Sequence, residues 1–446
     1  MNWKVLALIG LLLPPAVKAE SILFQNARIF PVSSAAIENG ALLIENGKIK
    51  EVGQNISAEG AKIVDCSGKH IYPGMIAAGT TMGLVEIDAA RATVDMREVG
   101  DYTPDVRSWL AVNPDSELLP VARANGITHF VPVPTGGIVA GQSGLVALQG
   151  WTVEDLAVKA PVALHLFWPS MSLDTTPREG LVDKSKFKSL EDQAKERAER
   201  LKDVDDFFSE AESYAKARPK EEKGRIPAWE AMLPFLNGEI PLMVHADESR
   251  QIKAAVEWAV QRKYKMILVG ARDAWMHADF LATNKIPVLF ERVYYQTSSL
   301  AATPSRDVDP YDVHFKAPGV LNSSGVQVAL GLGLGGHSAS EVRNLPYIAA
   351  QAAAFGLPAD VALKSITLHP AQMLGVADRL GSLEAGKEAT FVVASGNILD
   401  IRTQVHEVWI AGQKTSLETR HTRLYEKYNN RPRPNSATAA TAPAAK

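Results

Sequence analysis

Cysteine is nearly absent from this sequence: Cys66 is the one thiol in 446 residues. A single cysteine excludes any disulfide within the chain, so the fold must depend on its hydrophobic core. A chain of this length can bury enough apolar surface for that purpose. Cys66 follows a short apolar segment and has only His70 nearby, a context that does not predict a thiol catalyst.

An excess of charge of one sign is also missing. The chain has 47 basic and 50 acidic residues and a formal net charge of -3. Proteins that bind nucleic acid or anionic membranes concentrate positive charge, and this composition gives no sign of it. The composition therefore implies no nucleic-acid or membrane partner.

The sequence has no amino-terminal apolar run long enough to span a bilayer. Lys4 precedes the run Val5–Leu13, and Val17, Lys18 and Ala19 follow it. A basic residue, a short apolar segment and a small residue at the end are typical of a secretory signal. We expect residues 1–19 to be removed after Ala19, which leaves a periplasmic protein without a membrane anchor.

Both ends of the remaining chain have the same alternating pattern. Residues 20–70 and 377–416 contain short apolar segments separated by turns, with Asn46-Gly47 and Ala411-Gly412 as turn dipeptides. Alternation of this kind predicts antiparallel strands. The two halves predict one small composite β-sandwich, while residues 430–446, rich in Ala, Thr and Pro, predict a disordered tail.

The middle of the chain, residues 71–376, alternates short apolar runs with helical patterns. This order predicts α/β architecture, namely a parallel (β/α)8 or TIM-like barrel. A charged stretch at about 185–223 predicts one or two helices inserted after the fourth strand, either as a cover over the barrel mouth or as surface helices. The predicted strands are Ile71–Ala78, Gly126–Pro132, Gly144–Leu148, Val162–Trp168, Pro241–His245, Lys265–Val269, Pro287–Leu289 and Val326–Leu330. The alternative for Gly144–Leu148 is a hairpin extension, in which case one barrel strand lies elsewhere.

Two phrases stand out: IYPGMIAAGTTMGLVEI, from Ile71 to Ile87, and GSLEAGKEATFVV, from Gly381. They resemble PGxIDxHxH and GSLxxGKxADLVV of the amidohydrolase superfamily, in particular of its imidazolonepropionase-like group. The resemblance extends from Ile22 to about Thr415. It implies a hydrolase of amide or cyclic C–N bonds other than peptide bonds, with a divalent metal such as zinc at the barrel mouth.

The resemblance also shows which metal ligands are missing. Gly79 and Thr81 stand at the two histidine positions of the first strand, and Ala77 replaces the aspartate. The sixth strand ends in Gly270 without a histidine. At the end of the eighth strand the family has an aspartate that binds metal and handles a proton, whereas this chain has glycines and then His337.

Three histidines are the remaining candidates for metal ligands: His165 at the fourth strand, His245 at the fifth and His337 after the eighth. A catalytic zinc site ordinarily has three protein ligands and one open position. The sequence therefore predicts either one divalent ion in a reduced site or no ion at all. It identifies no catalytic or substrate-binding residue, although Glu86, Asp88, Asp247 and Glu248 could replace a lost ligand.

Two functions stay open at this point. One is an exported hydrolase with an atypical or reduced metal site. The other is a catalytically inactive protein of the same fold that binds a small molecule or a protein partner. The apolar helix faces that such barrels use for dimerisation also leave a homodimer open. His129, His277 and His369 are expected to have packing or capping roles.

Overall fold

The computed structural model of the protein describes residues 21–180, 182–291, 293 and 309–431. The predicted signal, residues 1–19, lies outside this range, as does the predicted tail beyond residue 431. Within the described part, no helix is both long enough and apolar enough to cross a membrane.

The strands fall into three groups along the chain. Five come first: β1 (Ser21–Ile29), β2 (Ile37–Glu45), β3 (Lys48–Gly53), β4 (Lys62–Asp65) and β5 (His70–Pro73). The barrel strands follow: β6 (Met75–Thr80), β7 (Ile127–Pro132), β8 (Val139–Ala147), β9 (Ala157–Phe167), β10 (Leu242–Ala246), β11 (Met266–Gly270), β12 (Val288–Phe290) and β13 (Val328–Leu330). The last group is β14 (Phe391–Ala394), β15 (Val405–Ile410) and β16 (Gln413–Lys414).

Helices occupy most of the connections between β6 and β14, and one more follows β16. The α-helices are α1 (Leu118–Arg123), α2 (Val153–Leu156), α3 (Leu190–Ala217), α4 (Pro227–Leu236), α5 (Ser249–Gln261), α6 (Ala278–Thr283), α7 (Val313–Ser323), α8 (Gly336–Glu341), α9 (Leu345–Ala354), α10 (Ala359–Lys364), α11 (Leu368–Met373) and α12 (Arg420–Asn429).

The first and last groups of strands form one sheet, which confirms the predicted composite β domain. The strand order is β16-β15-β14-β5-β1-β2-β3, with β4 paired to β1. The two chain ends meet where Ile71 of β5 pairs with Val393 of β14. Phe24 from the amino-terminal half packs edge-on against Phe391 and Trp409 from the carboxyl-terminal half, with ring centroids 5.0 and 5.3 Å apart.

The two predicted hairpin turns contact each other. Asn46 and Gly47 have φ of 52° and 76°, and Ala411 and Gly412 have φ of 48° and 79°. Paired positive φ values of this kind define the tight turns that favour Asn-Gly. The Ala389 amide donates to the Gly47 carbonyl (2.9 Å), and the Gly412 amide donates to the Ala389 carbonyl (2.8 Å), so the turns are fixed to one another.

The predicted strand Ile71–Ala78 is wrong as one strand, because the chain passes between two sheets at Gly74. Residues up to Pro73 belong to the β domain, and residues from Met75 belong to the barrel. A Cβ atom at Gly74 would lie 2.3 Å from Thr128 Oγ1, so a side chain does not fit at this crossing. The apolar run is continuous in sequence because both of its halves are buried.

The remaining barrel strands confirm the predicted eight-stranded sheet, with one strand reversed. The strand order is β6 to β13 in sequence, but β8 is antiparallel to both β7 and β9. The expectation of an entirely parallel barrel is therefore wrong at β8. Only residues 133–138 separate β7 from β8, too few for the crossover helix that a parallel neighbour requires.

The barrel interior is filled by alternate residues of successive strands, and it closes through a loop. Residues 365–367 bridge the first and last strands: the Ile76 amide donates to the Ile366 carbonyl (2.9 Å), and the Leu330 amide donates to the Ser365 carbonyl (3.0 Å). The interior is therefore a packed core and not a pore. Its buried side chains include Ile76, Ala78, Val131, Met243, Ile267, Leu289 and Ala329.

The predicted insert contains the single long helix α3, which packs against outer helices. Phe208 of α3 is fully buried against Phe235 of α4 and Trp258 of α5. Arg262, which follows α5, forms an ion pair with Asp205 of α3 at 2.6 Å. These contacts place α3 along the outer helical layer and favour the surface role over a cover.

Candidate functional site at the carboxyl ends of the barrel strands

A cavity of about 280 Å³ lies at the mouth of the barrel, where such folds place their active sites. The residues that line it come from the carboxyl ends of β9, β10, β11 and β12, from the first turn of α5 and from the loop after β13. They are Phe167, Trp168, His245, Ala246, Asp247, Gln251, Val269, Gly270, Glu291, Gly333 and Leu334.

His245 is presented to this cavity by the end of β10. Its ring stacks on Phe167 of the neighbouring strand, with centroids 4.1 Å apart and an interplanar angle of 8°. Burial lowers the pKa of His245 to about 3, despite an opposing effect of Asp247. His245 is therefore neutral at pH 7 and can act as a donor or an acceptor, but not as a fixed cation.

His165 lies directly beneath His245 and is completely buried. His245 is opposite Phe167 in the β9–β10 register, so residues 165, 167 and 245 face the same side of the sheet. His165 Nδ1 is 3.0 Å from His245 Nε2, and His165 Nε2 is 2.7 Å from Ser143 Oγ. A continuous hydrogen-bonded chain thus runs from Ser143 through His165 to His245 at the cavity.

Both histidines in this chain are neutral. Burial, and then the neighbouring His245, lower the pKa of His165 well below its usual value. Between two neutral imidazoles one nitrogen donates and the other accepts. Two arrangements satisfy all three groups: Ser143 donates to His165, which donates to His245, or each of these bonds is reversed. The chain can therefore change its direction of donation without any net charge.

The structure brings together two of the three predicted ligands but not the third. His337 is exposed on α8 and is not among the residues that line the cavity. Thr81, at the second histidine position of the first strand, donates its hydroxyl to the Gly335 carbonyl at 2.7 Å. That strand end is therefore occupied by a contact with the loop that precedes His337.

The side chains at the mouth do not fit a three-ligand metal centre. Among residues 21–180, 182–291, 293 and 309–431, no three His, Cys, Asp or Glu side chains converge in a way that could hold an ion. Both nitrogens of His165 already have hydrogen-bond partners. Metal binding by His165 and His245 alone stays a prediction, and no step of the chemistry below depends on an ion.

Glu291, directly after β12, is a cavity residue that the sequence reasoning missed. Its side chain is buried, and its amide donates to the Gly270 carbonyl of the adjacent strand at 3.2 Å. The signal was present in the sequence as an acidic residue at the end of the short apolar run PVLF. The carboxylates that the sequence analysis names follow the first and fifth strands, whereas Glu291 follows the seventh.

Of the four acidic residues considered from sequence, only Asp247 lines the cavity. Its Oδ1 accepts from the Arg272 amide at 3.2 Å. Glu248 instead forms a capping box with Gln251 at the start of α5. Glu86 and Asp88 lie after β6, away from the cavity lining.

Three further histidines have structural contacts. His129 is buried in β7 with Nδ1 3.0 Å from Thr128 Oγ1, and His277 Nε2 is 2.7 Å from Ser249 Oγ. His369 does not cap α11, as the sequence suggested. Its Nδ1 donates to the Val328 carbonyl of β13 at 2.7 Å and so fixes the helix to the barrel.

Comparison with known proteins identifies the class that this fold and site define. The family model described as "Amidohydrolase family" matches residues 152–417. That match covers more than half of the chain, and the protein therefore belongs to the amidohydrolase family.

Individual relatives share low sequence identity with this chain. The chain is 23% identical over 409 residues to amidohydrolase tasK of Hapsidospora irregularis, covering 84% of this chain but only 39% of that protein. It is 25% identical over 398 residues to an imidazolonepropionase of Mesorhizobium japonicum, covering 83% of this chain and 91% of that one. An amidohydrolase crystal structure from Thermotoga maritima superposes with a TM-score of 0.74 at 27% identity, covering 89% of this chain and 99% of that chain.

Proposed function

We propose that this protein hydrolyses an amide or cyclic C–N bond, other than a peptide bond, in a small molecule bound at the barrel mouth. The observation that carries the proposal is the hydrogen-bonded chain from Ser143 through His165 to His245. It ends at a cavity that Asp247 and Glu291 also line. Membership of the amidohydrolase family supports the reaction class. The imidazolonepropionase relative supports a cyclic C–N bond as one form of the substrate.

The residues at the cavity can perform distinct parts of such a reaction. A neutral imidazole accepts a hydrogen bond from a water molecule or donates one to a substrate oxygen, and buried hydrogen-bonded networks hold these groups in position. Stacking on Phe167 fixes the plane of the His245 ring. The size of the cavity matches a compact substrate, which agrees with a small-molecule reaction.

A second function, ligand binding without turnover, is favoured by a different observation. The ends of the first, sixth and eighth strands carry Gly79, Gly270 and Gly331, none of which has a side chain to offer to an ion. Both nitrogens of His165 already have hydrogen-bond partners, which also favours binding without a metal ion. In this case the cavity would bind a small molecule and release it unchanged.

Purified mature protein distinguishes the two functions. Zinc, manganese and iron are measured by elemental analysis, and turnover is measured on N-acyl amines, lactams, cyclic imides and cyclic ureas. Under the hydrolase proposal, His245→Ala lowers kcat about a hundredfold or more, as expected for loss of a group that contacts the reacting substrate. His165→Ala lowers it through loss of the support beneath His245. His406→Ala, on the exposed surface of the β domain, is the matched control and leaves turnover unchanged.

The outcomes separate clearly. Stoichiometric metal lost in both His165→Ala and His245→Ala supports the predicted two-histidine site. Turnover by metal-free protein supports hydrolysis by the side chains alone. Absence of turnover on every compound, in protein that is folded and is stabilised thermally by some of them, overturns the hydrolase proposal in favour of the binder.

We also propose that the protein is exported and matures by cleavage after Ala19. The support is the pattern of Lys4, a short apolar run and small residues before Glu20. Mass spectrometry of the protein from a periplasmic fraction should give a chain that starts at Glu20. Recovery of the uncleaved chain in the membrane fraction contradicts this proposal.

A further inference from the structure

The carboxylate of Glu291 lies between the first and last strands of the barrel. Glu291 Oε1 is 3.1 Å from the position that a Cβ atom would occupy at Gly79 of β6. It is 3.5 Å from the equivalent position at Gly331, directly after β13, and Glu291 Cγ is 3.3 Å from that position. The side chain therefore reaches across the mouth from the seventh strand and fills the space above these two glycines.

The two glycines stand at the ends of the strands that lack the expected family residues. Gly79 replaces a first-strand histidine, and Gly331 opens the glycine-rich segment where the family has its eighth-strand aspartate. A larger side chain at either position would contact Glu291. The glycines at the ends of strands one and eight thus leave the space that the Glu291 carboxylate from strand seven occupies.

We propose that Glu291 is the acid/base residue of this cavity, a role that rests on the proposed hydrolase function. Three observations support it: its carboxylate is buried, it lines the cavity together with His245 and Asp247, and it occupies the space next to the eighth-strand position. A carboxylate in this position is within reach of a water molecule bound between it and the substrate. In this role the carboxylate contacts the reacting water, so Glu291 acts as a catalytic residue and not as a positioning residue.

The step balances as an ordinary hydrolysis. The water oxygen attacks the carbonyl carbon and forms a C–O bond, while one water proton passes to the Glu291 carboxylate. Collapse of the tetrahedral intermediate breaks the C–N bond, and the Glu291 carboxyl returns that proton to the leaving nitrogen. The products are a carboxylic acid and an amine, or one molecule carrying both groups when the substrate is cyclic, and Glu291 ends in its initial state.

The test is kinetic and uses the full-length mature protein with the best substrate from the panel. Glu291→Gln retains the shape of the side chain but cannot carry the proton, so kcat should fall by about 10² to 10⁴ with a smaller change in KM. The acidic limb of the kcat/KM against pH profile should disappear. Glu86→Gln is the matched control, since Glu86 lies after β6 but outside the cavity, and it should retain wild-type kcat.

A second variant separates chemistry from structure. Glu291→Ala opens a space of carboxylate size beside Gly79 and Gly331, and added formate should restore part of kcat in proportion to its concentration. A purely structural role would not respond to formate. If Glu291→Gln fails to fold, Glu291→Asp decides, since it should keep the acidic limb of the profile with a lower kcat.

The results distinguish failure of this inference from failure of the proposed function. Wild-type turnover with undiminished kcat in folded Glu291→Gln overturns the role of Glu291 and leaves the hydrolase standing. The same holds if formate has no effect on Glu291→Ala or if Glu291→Asp loses the acidic limb. Absence of wild-type turnover on the whole panel overturns both.

Discussion

Buried neutral histidines contribute to this protein's response to acid. His129, His165 and His245 all have pKa values lowered by burial, to about 3 for His129 and His245. Each stays unprotonated in the folded state at pH values where an exposed imidazole is charged. The unfolded chain binds these protons first, because its histidines have a pKa of about 6.5. The contribution of these histidines to the free energy of unfolding is therefore complete above that pH and is lost as pH falls towards the folded-state pKa.

His129 gives the cleanest test of this behaviour, because it lies in β7 and does not line the cavity. Its pKa is lowered by burial and then by Arg379. His129→Asn removes the titration and retains a hydrogen-bonding group near Thr128. The free energy of unfolding, measured with urea between pH 6 and pH 4, should fall less steeply in the variant, by about 1.4 kcal/mol per pH unit. Parallel curves for the two proteins contradict the prediction.

The candidate site could be predicted from sequence only where its residues end consecutive strands. His165 lies near the end of one apolar run and His245 ends the next, so their proximity follows from parallel neighbouring strands. The position of Glu291 above Gly79 and Gly331 depends on closure of the barrel, which brings the first strand next to the eighth and so within reach of the side chain that follows the seventh. This proximity arises only in the folded barrel, so no local sequence pattern predicts it. Ser143 could not be identified from the sequence, because its contact with His165 depends on the antiparallel register between β8 and β9.

Among the helices, α3 is fixed by aromatic packing and not by its charged surface. Phe208 contacts Phe235, Trp258 and Tyr264, with ring centroids 5.8, 5.0 and 5.8 Å apart. Arg262 adds hydrogen bonds to Asp205 and Ser209 of the same helix. The composition of this segment predicted a helix. Charged residues lie on nearly every turn, so the sequence did not indicate the narrow apolar side that makes these contacts.

We expect Phe208→Ala to destabilise the protein without changing its chemistry. Truncation of a fully buried phenylalanine costs about 3 to 5 kcal/mol through lost burial and the cavity that remains. Phe187→Ala is the control, because Phe187 is 42% exposed, and its cost should be about 1 kcal/mol. Urea unfolding measures both values. An equal loss of stability in the two variants, or a specific fall in kcat for folded Phe208→Ala, contradicts an outer structural role for α3.

Strand identity was more predictable than strand direction. Each barrel strand is an apolar run bounded by turns, and periodicity reports burial equally well for parallel and antiparallel neighbours. The direction of β8 depends on the length of the 133–138 connection, which is too short for a helix. The split at Gly74 escaped detection for a related reason, since both sheets bury the residues on either side.

At the scale of the whole molecule, the β domain joins the two ends of the chain at a backbone contact. A Cβ atom at Gly412 would lie 2.4 Å from Gly47 Cα, and Gly412 has φ of 79°. The hairpin turns of the two halves therefore approach as closely as they do only because both positions are glycine.

Gly412→Ala should separate the two halves and lower stability more than strain alone would. Positive φ costs an alanine about 1 to 2 kcal/mol, and displacement of the Gly47 backbone adds about 1 to 3 kcal/mol. Gly60→Ala is the matched control, because Gly60 has φ of 76° and no atom of the described residues lies within 4 Å of its Cβ position. Thermal unfolding should show the larger loss for Gly412→Ala, and equal losses contradict the steric contact.

The joining of distant segments in one sheet has a consequence for biosynthesis. The Tyr72 hydroxyl donates to the Gly396 carbonyl, a residue 324 positions later. As a ribosome extends the chain, β5 emerges early, yet its neighbour β14 follows only after the whole barrel has been translated. The hydrogen-bonding edge of β5 is therefore open for most of translation. A chain cut short before β14 keeps its barrel sequence but leaves that edge bare, where it can pair with another nascent chain.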